Sequence, residues 1–199
     1  MYRWGLKTYN YTPYVQYSDV FSSNQIDLIN EIGLNNLNAS PLEKSQVVSD
    51  FNYQVDDNIR RSFISWIYSD VVHNNWLYQM LSAKIEDVNR HFFNFDLNEI
   101  ETLQYTEYDS SYEGVFKKHV DILSPHTYMR KITFSIQLSK PDEYEGGDFI
   151  LHTGQEPVVL DKTRGSIAFF PSWTLHEVTP ITKGTRRSLV GWVIGPRFK

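Results

Sequence analysis

From Glu99 onward the chain is a series of short apolar or alternating runs parted by turn residues, and this pattern restricts the fold more than any other feature. The runs lie at 101–108, 115–120, 131–138, 148–152, 158–160, 166–170 and 189–194. Ser124-Pro125, Gly146-Gly147, the stretch 162–165 and Lys183-Gly184 supply turn chemistry between several of them. Many short strands at such spacing fold as a sandwich or barrel.

The first half reads differently. Residues 1–20 are rich in tyrosine, and 14–21 alternates as a strand does. Ser22 or Ser23 then caps a helix through about Leu37, with Ile26, Ile29, Ile32 and Leu37 near helical spacing. Pro41 opens an irregular stretch, 47–55 is strand-like, and 59–68 suits either a strand or a short helix. A clearer helix spans 75–92, with Trp76, Leu77, Met80, Leu81, Ile85, Val88 and Phe92 along one side. The expected architecture is mainly β with flanking helices (α+β), a jelly-roll sandwich buttressed by N-terminal helices. One domain covers 1–199, with 1–98 as the supporting region and 99–199 as the core.

Composition narrows the function. A net charge of −5 argues against a nucleic-acid binder. No run approaches the roughly 20 apolar residues of a membrane span. The opening residues lack the apolar core of a signal peptide, so a cytoplasmic location is expected. With no cysteine, disulfides, thiolate metal sites and cysteine nucleophiles are excluded together.

Within the strand-rich half, His119-Val120-Asp121 stands out. A strand sends residues i and i+2 to one face, so His119 and Asp121 can present a nitrogen and an oxygen to one point. His176, from a distant strand, completes two imidazoles and one carboxylate on one side of a metal, the facial ligand set of non-haem Fe(II) oxygenases. His73 and His91 read as surface or helix-end residues, His126 as a loop residue and His152 as a strand end. The same ligand set also suits zinc in a cupin-like hydrolase. Arg186, ten residues after His176, favours iron with a 2-oxo acid, whose far carboxylate wants a bidentate guanidinium. A jelly-roll binding module without catalysis is the third reading.

The ordered motifs from about Leu103 to Pro196 resemble the prolyl 4-hydroxylase branch of the Fe(II)/2-oxoglutarate-dependent dioxygenases, especially the PKHD-type hydroxylases. The matching pieces are Leu103-Gln104 with Tyr108, His119-Val120-Asp121, Arg130-Lys131-Ile132-Thr133, Glu145-Gly146-Gly147-Asp148 and the segment 165–171. His176 with Pro180, Gly184-Thr185-Arg186 and Trp192 close the series. The resemblance implies a double-stranded β-helix with the metal in its mouth, held by His119, Asp121 and His176. It also implies that Arg186 binds the C5 carboxylate of 2-oxoglutarate, that Tyr108 and Trp192 line the same pocket, and that Thr133 belongs to the co-substrate set. Arg187 faces the opposite side of the strand. Two departures stand out: the interval from Tyr108 to His119 is about two residues longer than typical, and Gln137 replaces a tyrosine common in animal-type relatives. Gln137 either bonds the C5 carboxylate through its amide or is a solvated strand residue.

The implied cofactor and co-substrates are Fe(II), 2-oxoglutarate and O2, with ascorbate as an optional reductant. The implied reaction hydroxylates an unactivated C–H bond and releases succinate and CO2. The resemblance points to a prolyl residue of a peptide or protein as substrate, with small molecules also within reach of the fold. Loops at 109–114 and 139–144 are expected to rim the mouth and select among them.

Overall fold

Two antiparallel sheets carry the architecture. The computed structural model describes residues 12–39, 43–49, 52–124 and 127–197; the tyrosine-rich start before residue 12, Pro41, Pro125 and His126 lie outside the described residues. The larger sheet has nine strands, seven of which run in the order Val15–Tyr17, Ile167–Pro171, Arg130–Gln137, Ile181–Ile194, Leu103–Asp109, Phe63–Ile67, Glu43–Lys44. The smaller sheet has five, in the order Val158–Val159, Phe149–His152, Leu175–Val178, Val115–His119, Arg60–Arg61. From Leu103 onward the chain visits larger and smaller sheets in turn, apart from short edge strands. That alternation builds the jelly roll.

The larger sheet sorts its residues by the two-residue period of a strand. Leu103, Tyr105, Ile132, Phe134, Ile136 and Leu189 belong to the main apolar core, which they share with two helices. Helix α1 (Ser23–Ala39) contributes Ile26, Ile29 and Leu37, and α2 (Asn75–Val88) contributes Leu77, Leu81, Ile85 and Val88. The intervening residues point the other way and are buried yet polar: Gln104, Thr106, Thr133, Ser135, Gln137, Arg186 and Ser188. A sheet so divided has one face built for packing and one for chemistry.

Local sequence explains how the helices start and stop. The Ser22 amide donates to Gln25 Oε1 at 2.8 Å and the Gln25 amide to Ser22 Oγ at 3.4 Å, a reciprocal capping box. Helix α2 ends in a π turn over Asn89–Phe93, followed by Asn94 in the left-handed region at φ 55°. The wider turn shifts the phase of the apolar stripe. Phe92, expected on the buried side, is therefore exposed.

One choice the sequence reading left open and two further differences from it have physical causes. The stretch 59–68 is strand, as Arg60–Arg61 and Phe63–Ile67, because Val115–His119 and Leu103–Asp109 give it hydrogen-bonding partners. Lys183-Gly184 is not a turn. Gly184, at φ 69°, lets one strand run from Ile181 to Ile194 while a Cβ there would strike the Glu143 carbonyl oxygen at 2.1 Å. The strand carrying His176, Leu175–Val178, is absent from the apolar runs because it is four residues long and only half apolar.

Gly33 of α1 lies against the ring of Tyr105, where a Cβ would stand 2.2 Å from Cδ2. Tyr105 is fully buried and cannot retreat. Gly33→Ala is expected to destabilise the fold by about 1–3 kcal/mol, the range for overpacking. Urea unfolding checks this, and an unchanged midpoint refutes it.

Candidate metal centre

Antiparallel pairing sets His176 directly opposite His119, on neighbouring strands of the smaller sheet. Their ring centroids are 4.1 Å apart. Asp121 follows the end of the Val115–His119 strand, and its backbone amide is held by the Ser172 carbonyl at 2.9 Å. One Asp121 oxygen lies 3.8 Å from His119 Nε2 and the other 3.7 Å from His176 Nε2. All three donor atoms fall within 4.8 Å of one another.

The donor set fits a divalent transition ion. His119 Nδ1 donates to the Lys117 carbonyl and His176 Nδ1 to the Thr174 carbonyl, each at 2.8 Å. A carbonyl can only accept, so each ring carries its proton on Nδ1 and leaves the Nε2 lone pair free toward Asp121. Burial, reinforced by the neighbouring His176, pushes the His119 pKa down to about 3, so the imidazole is neutral at ordinary pH. Burial alone would favour a neutral Asp121. His176, His119, Arg130 and the Thr133 hydroxyl together outweigh it and hold the carboxyl below its usual range. Two donor atoms less than roughly 4 Å apart can share one ion with bonds of about 2.1 Å.

Around this point the polar face of the larger sheet divides into two recesses. A small cavity of about 20 Å³ is lined by Gln137, Tyr144, Gly147, Phe149, Lys162 and Arg186, among others. That is about the room of one water, which suits the head of a ligand reaching in. Arg186 is 3% exposed. Among the described residues it makes no ion pair, and its one described hydrogen bond is a 3.5 Å contact to Ser188 Oγ. Its guanidinium carbon lies 5.7 Å from the Tyr108 ring and 5.9 Å from that of Phe149. The Phe149 ring also meets the His176 ring edge-on at 5.7 Å, so one side chain joins the arginine to the triad. Arg187, on the other face, pairs with Glu107 at 2.9 Å.

The second recess, of about 480 Å³, opens beside His119 and Asp121 and is lined by Arg60, Gln104, Arg130, Trp192 and apolar residues such as Ile64 and Phe116. Arg130 is held by both Glu101 oxygens, at 2.6 and 2.9 Å, and covers the Trp192 ring at 3.9 Å. Trp192 Nε1 is buried and has no hydrogen-bond partner among the described residues. Arg60 is buried over the Phe116 ring at 4.5 Å. Burial lowers its pKa, with Tyr108 and Asp121 opposing the shift.

These placements refine the expected co-substrate set. Arg186 lies against the Tyr108 ring, while Trp192 lines the larger recess and not the arginine's cavity. Thr133 donates to Asp121 Oδ2 at 2.7 Å, so it orients the carboxylate. Gln137 is buried, which removes the solvated reading. His152 pairs with Glu177 at 2.9 Å. His73 and His91 are exposed. Arg60 and Tyr144 went unnoticed in the sequence. Arg60 sits on a two-residue strand too short to reveal its inward face, and Tyr144 is a lone aromatic in the acidic stretch 142–145.

The jelly roll and its His-x-Asp…His mouth define a β-sandwich fold with a candidate metal centre between its sheets. Residues 103–194, a little under half of the chain, match the family model of the 2OG-Fe(II) oxygenase superfamily. Among curated relatives, a PKHD-type hydroxylase of Prochlorococcus marinus is 38% identical over 84 residues, covering 42% of this chain and 38% of that protein. One from Parvibaculum lavamentivorans is 39% identical over 62 residues, 31% of this chain and 28% of that one. The alignments thus span well under half the length of these relatives. Among solved structures, a Pseudomonas putida prolyl-4-hydroxylase superposes with TM-score 0.74 at 15% identity, covering 92% of this chain and 93% of the other. A Trichoplax adhaerens prolyl hydroxylase, solved with a hypoxia inducible factor oxygen degradation domain peptide fragment, gives 0.77 at 19% identity over 92% and 84%. No helix among the described residues is long and apolar enough to cross a membrane.

Thr133→Val is expected to weaken Fe(II) binding about 10- to 100-fold, the usual cost of losing a group that orients a ligand, without unfolding the chain. Anaerobic Fe(II) titration followed by calorimetry measures it. Unchanged affinity would remove Thr133 from this role.

Proposed function

We propose that the chain is an Fe(II)- and 2-oxoglutarate-dependent dioxygenase that hydroxylates an unactivated C–H bond, with a prolyl residue of a peptide or protein as the favoured substrate. The observation that carries this reading is Arg186, a buried cation with no described anionic partner, joined through Phe149 to the His119–Asp121–His176 cluster. A buried guanidinium is costly without an anion, so a carboxylate-bearing co-substrate gives it a purpose. A zinc hydrolase leaves the arginine without one. A non-catalytic module leaves both the arginine and the preset Nε2 lone pairs without one.

In this reading His119, Asp121 and His176 hold iron, and Thr133 keeps Asp121 aimed. Iron, 2-oxoglutarate and O2 supply the oxidising power, with succinate and CO2 as co-products. Arg186 takes the far carboxylate, while Tyr108 and Phe149 keep water from that ion pair and so strengthen it. The larger recess receives substrate, whose acceptor groups meet Arg60 and whose apolar parts meet Ile64, Phe116 and Trp192. The prolyl preference is supported by the names of the Pseudomonas putida and Trichoplax adhaerens enzymes of like fold and by the peptide bound to the second. We read the supporting region and the core as one domain, and a reducing, cytoplasmic setting suits Fe(II).

The decisive test loads the purified chain with Fe(II) under anaerobic conditions and then admits O2 with 2-oxoglutarate and a peptide library. Succinate formation and a gain of about 16 Da, one oxygen atom, on proline-containing peptides are expected. Arg186→Ala should lose 2-oxoglutarate binding by tenfold or more, by the arithmetic of a lost charged hydrogen bond (roughly 1.5–3 kcal/mol), and keep iron. Zinc retention with no succinate would sink the proposal, as would an Arg186→Ala protein that binds 2-oxoglutarate normally.

A further inference from the structure

Arg186 does not meet its ligand alone. Gln137 shares the cavity, but its amide is already committed. Nε2 carries two protons, and it donates one to the Ser139 carbonyl at 3.1 Å and one to Tyr144 Oη at 3.0 Å. A flipped amide would set its oxygen against the Ser139 carbonyl oxygen, so this orientation is enforced by chemistry. Only the amide oxygen remains, and an acceptor repels a carboxylate. Gln137 therefore cannot be the donor that its position invites.

Tyr144 can be. Its hydroxyl accepts from Gln137 and still has its own proton to give. The residue is 4% exposed and lines the same cavity as Arg186. A Cβ on Gly147 would lie 2.3 Å from Ile181 Cδ1 and 3.1 Å from both Tyr144 Cε2 and Arg186 Cδ, so the phenol ring and the arginine stem flank the same stretch of bare backbone. Lys162 stands 5.1 Å from the Tyr144 ring, and its ammonium is anchored by two of its three protons to Asp148 at 2.6 Å and the Gly146 carbonyl at 2.7 Å. It adds positive field to the cavity beside the phenol.

We propose that Tyr144 is the second donor to the far carboxylate of the 2-oxo acid, with Gln137 positioning its hydroxyl. This rests on the reading of Arg186 as the co-substrate's anchor. The pair recognises a dicarboxylic 2-oxo acid: a fork of charged N–H groups from one side and one O–H from the other. A 2-oxo acid of the same length without a far carboxylate gains nothing from the phenol.

The test measures binding to the Fe(II)-loaded, anaerobic protein by calorimetry, using 2-oxoglutarate and 2-oxopentanoate, the same carbon chain lacking the far carboxylate. Tyr144→Phe is expected to weaken 2-oxoglutarate about 10- to 100-fold, the scale of one hydrogen bond to a charged group, and to leave 2-oxopentanoate unchanged. Gln137→Leu, which frees the phenol without removing it, should show a smaller loss with the same selectivity. Circular dichroism and iron content confirm that both variants fold. Equal 2-oxoglutarate binding by Tyr144→Phe overturns the proposal. Parallel losses for both ligands also overturn it, because they report general damage to the pocket. A wild-type protein that binds iron but no 2-oxoglutarate overturns the underlying reading of Arg186, whereas normal wild-type binding with an unchanged Tyr144→Phe overturns the role of Tyr144 alone.

Discussion

The site depends on one register. His119 and His176 face each other across an antiparallel pair, and each ring's Nδ1 is tied to the carbonyl two residues back in the chain. A slip of one residue would send one histidine to the opposite face of the smaller sheet, away from Asp121. That register is pinned from both sides. Phe149–His152 pairs with the His176 strand over four residues, and Arg60–Arg61 pairs with the His119 strand. Phe116 stacks on the His119 ring at 3.4 Å between centroids, and Phe170 meets His176 edge-on at 5.0 Å. Aromatic packing thus holds both rings while their nitrogens stay free.

The larger sheet supplies the rest by keeping its two faces apart. Its apolar face meets α1 and α2 in a core centred on Tyr105, Phe134 and Phe169. That core makes it possible to bury a row of polar residues on the other face without losing the fold. Arg186 and Arg187 are adjacent in sequence, yet one lies in the interior cavity and its neighbour pairs with Glu107 outside. The two-residue period makes that separation without any loop or turn.

Much of this was legible in the sequence because strand alternation and cap chemistry are local. The jelly roll, α1 with its serine cap, α2 and the His-x-Asp pair rest on such local rules; alternation also sets Arg186 and Arg187 on opposite faces, while the choice of Arg186 as the inward one rests on the family resemblance. What escaped depends on partners remote in sequence. Leu175–Val178 is a strand because two neighbours satisfy its backbone, and its own residues say little. Thr133 looks like a co-substrate contact until Asp121 takes its hydroxyl. Trp192, six residues beyond Arg186, keeps that arginine's face but lies too far along the strand to share its cavity. Gln137 and Tyr144 are seven residues apart, and only the fold shows that one amide is spent on the other's hydroxyl.

The buried cations give the site its direction. Among the described residues neither Arg60 nor Arg186 has an ion-pair partner, although both are more than nine-tenths buried. For Arg60 the cost appears as a lowered pKa that Tyr108 and Asp121 only partly offset. If Asp121 is committed to a metal, its compensation of Arg60 falls further. Both arginines therefore bring positive charge into the interior that the surrounding residues only partly balance. Ligands that bring negative charge or strong acceptors relieve it, and such binding stabilises the folded chain by mass action. The cost of burying these arginines in the free protein reappears as selectivity for anionic ligands, because a neutral ligand of the same shape leaves the same cations unpaired.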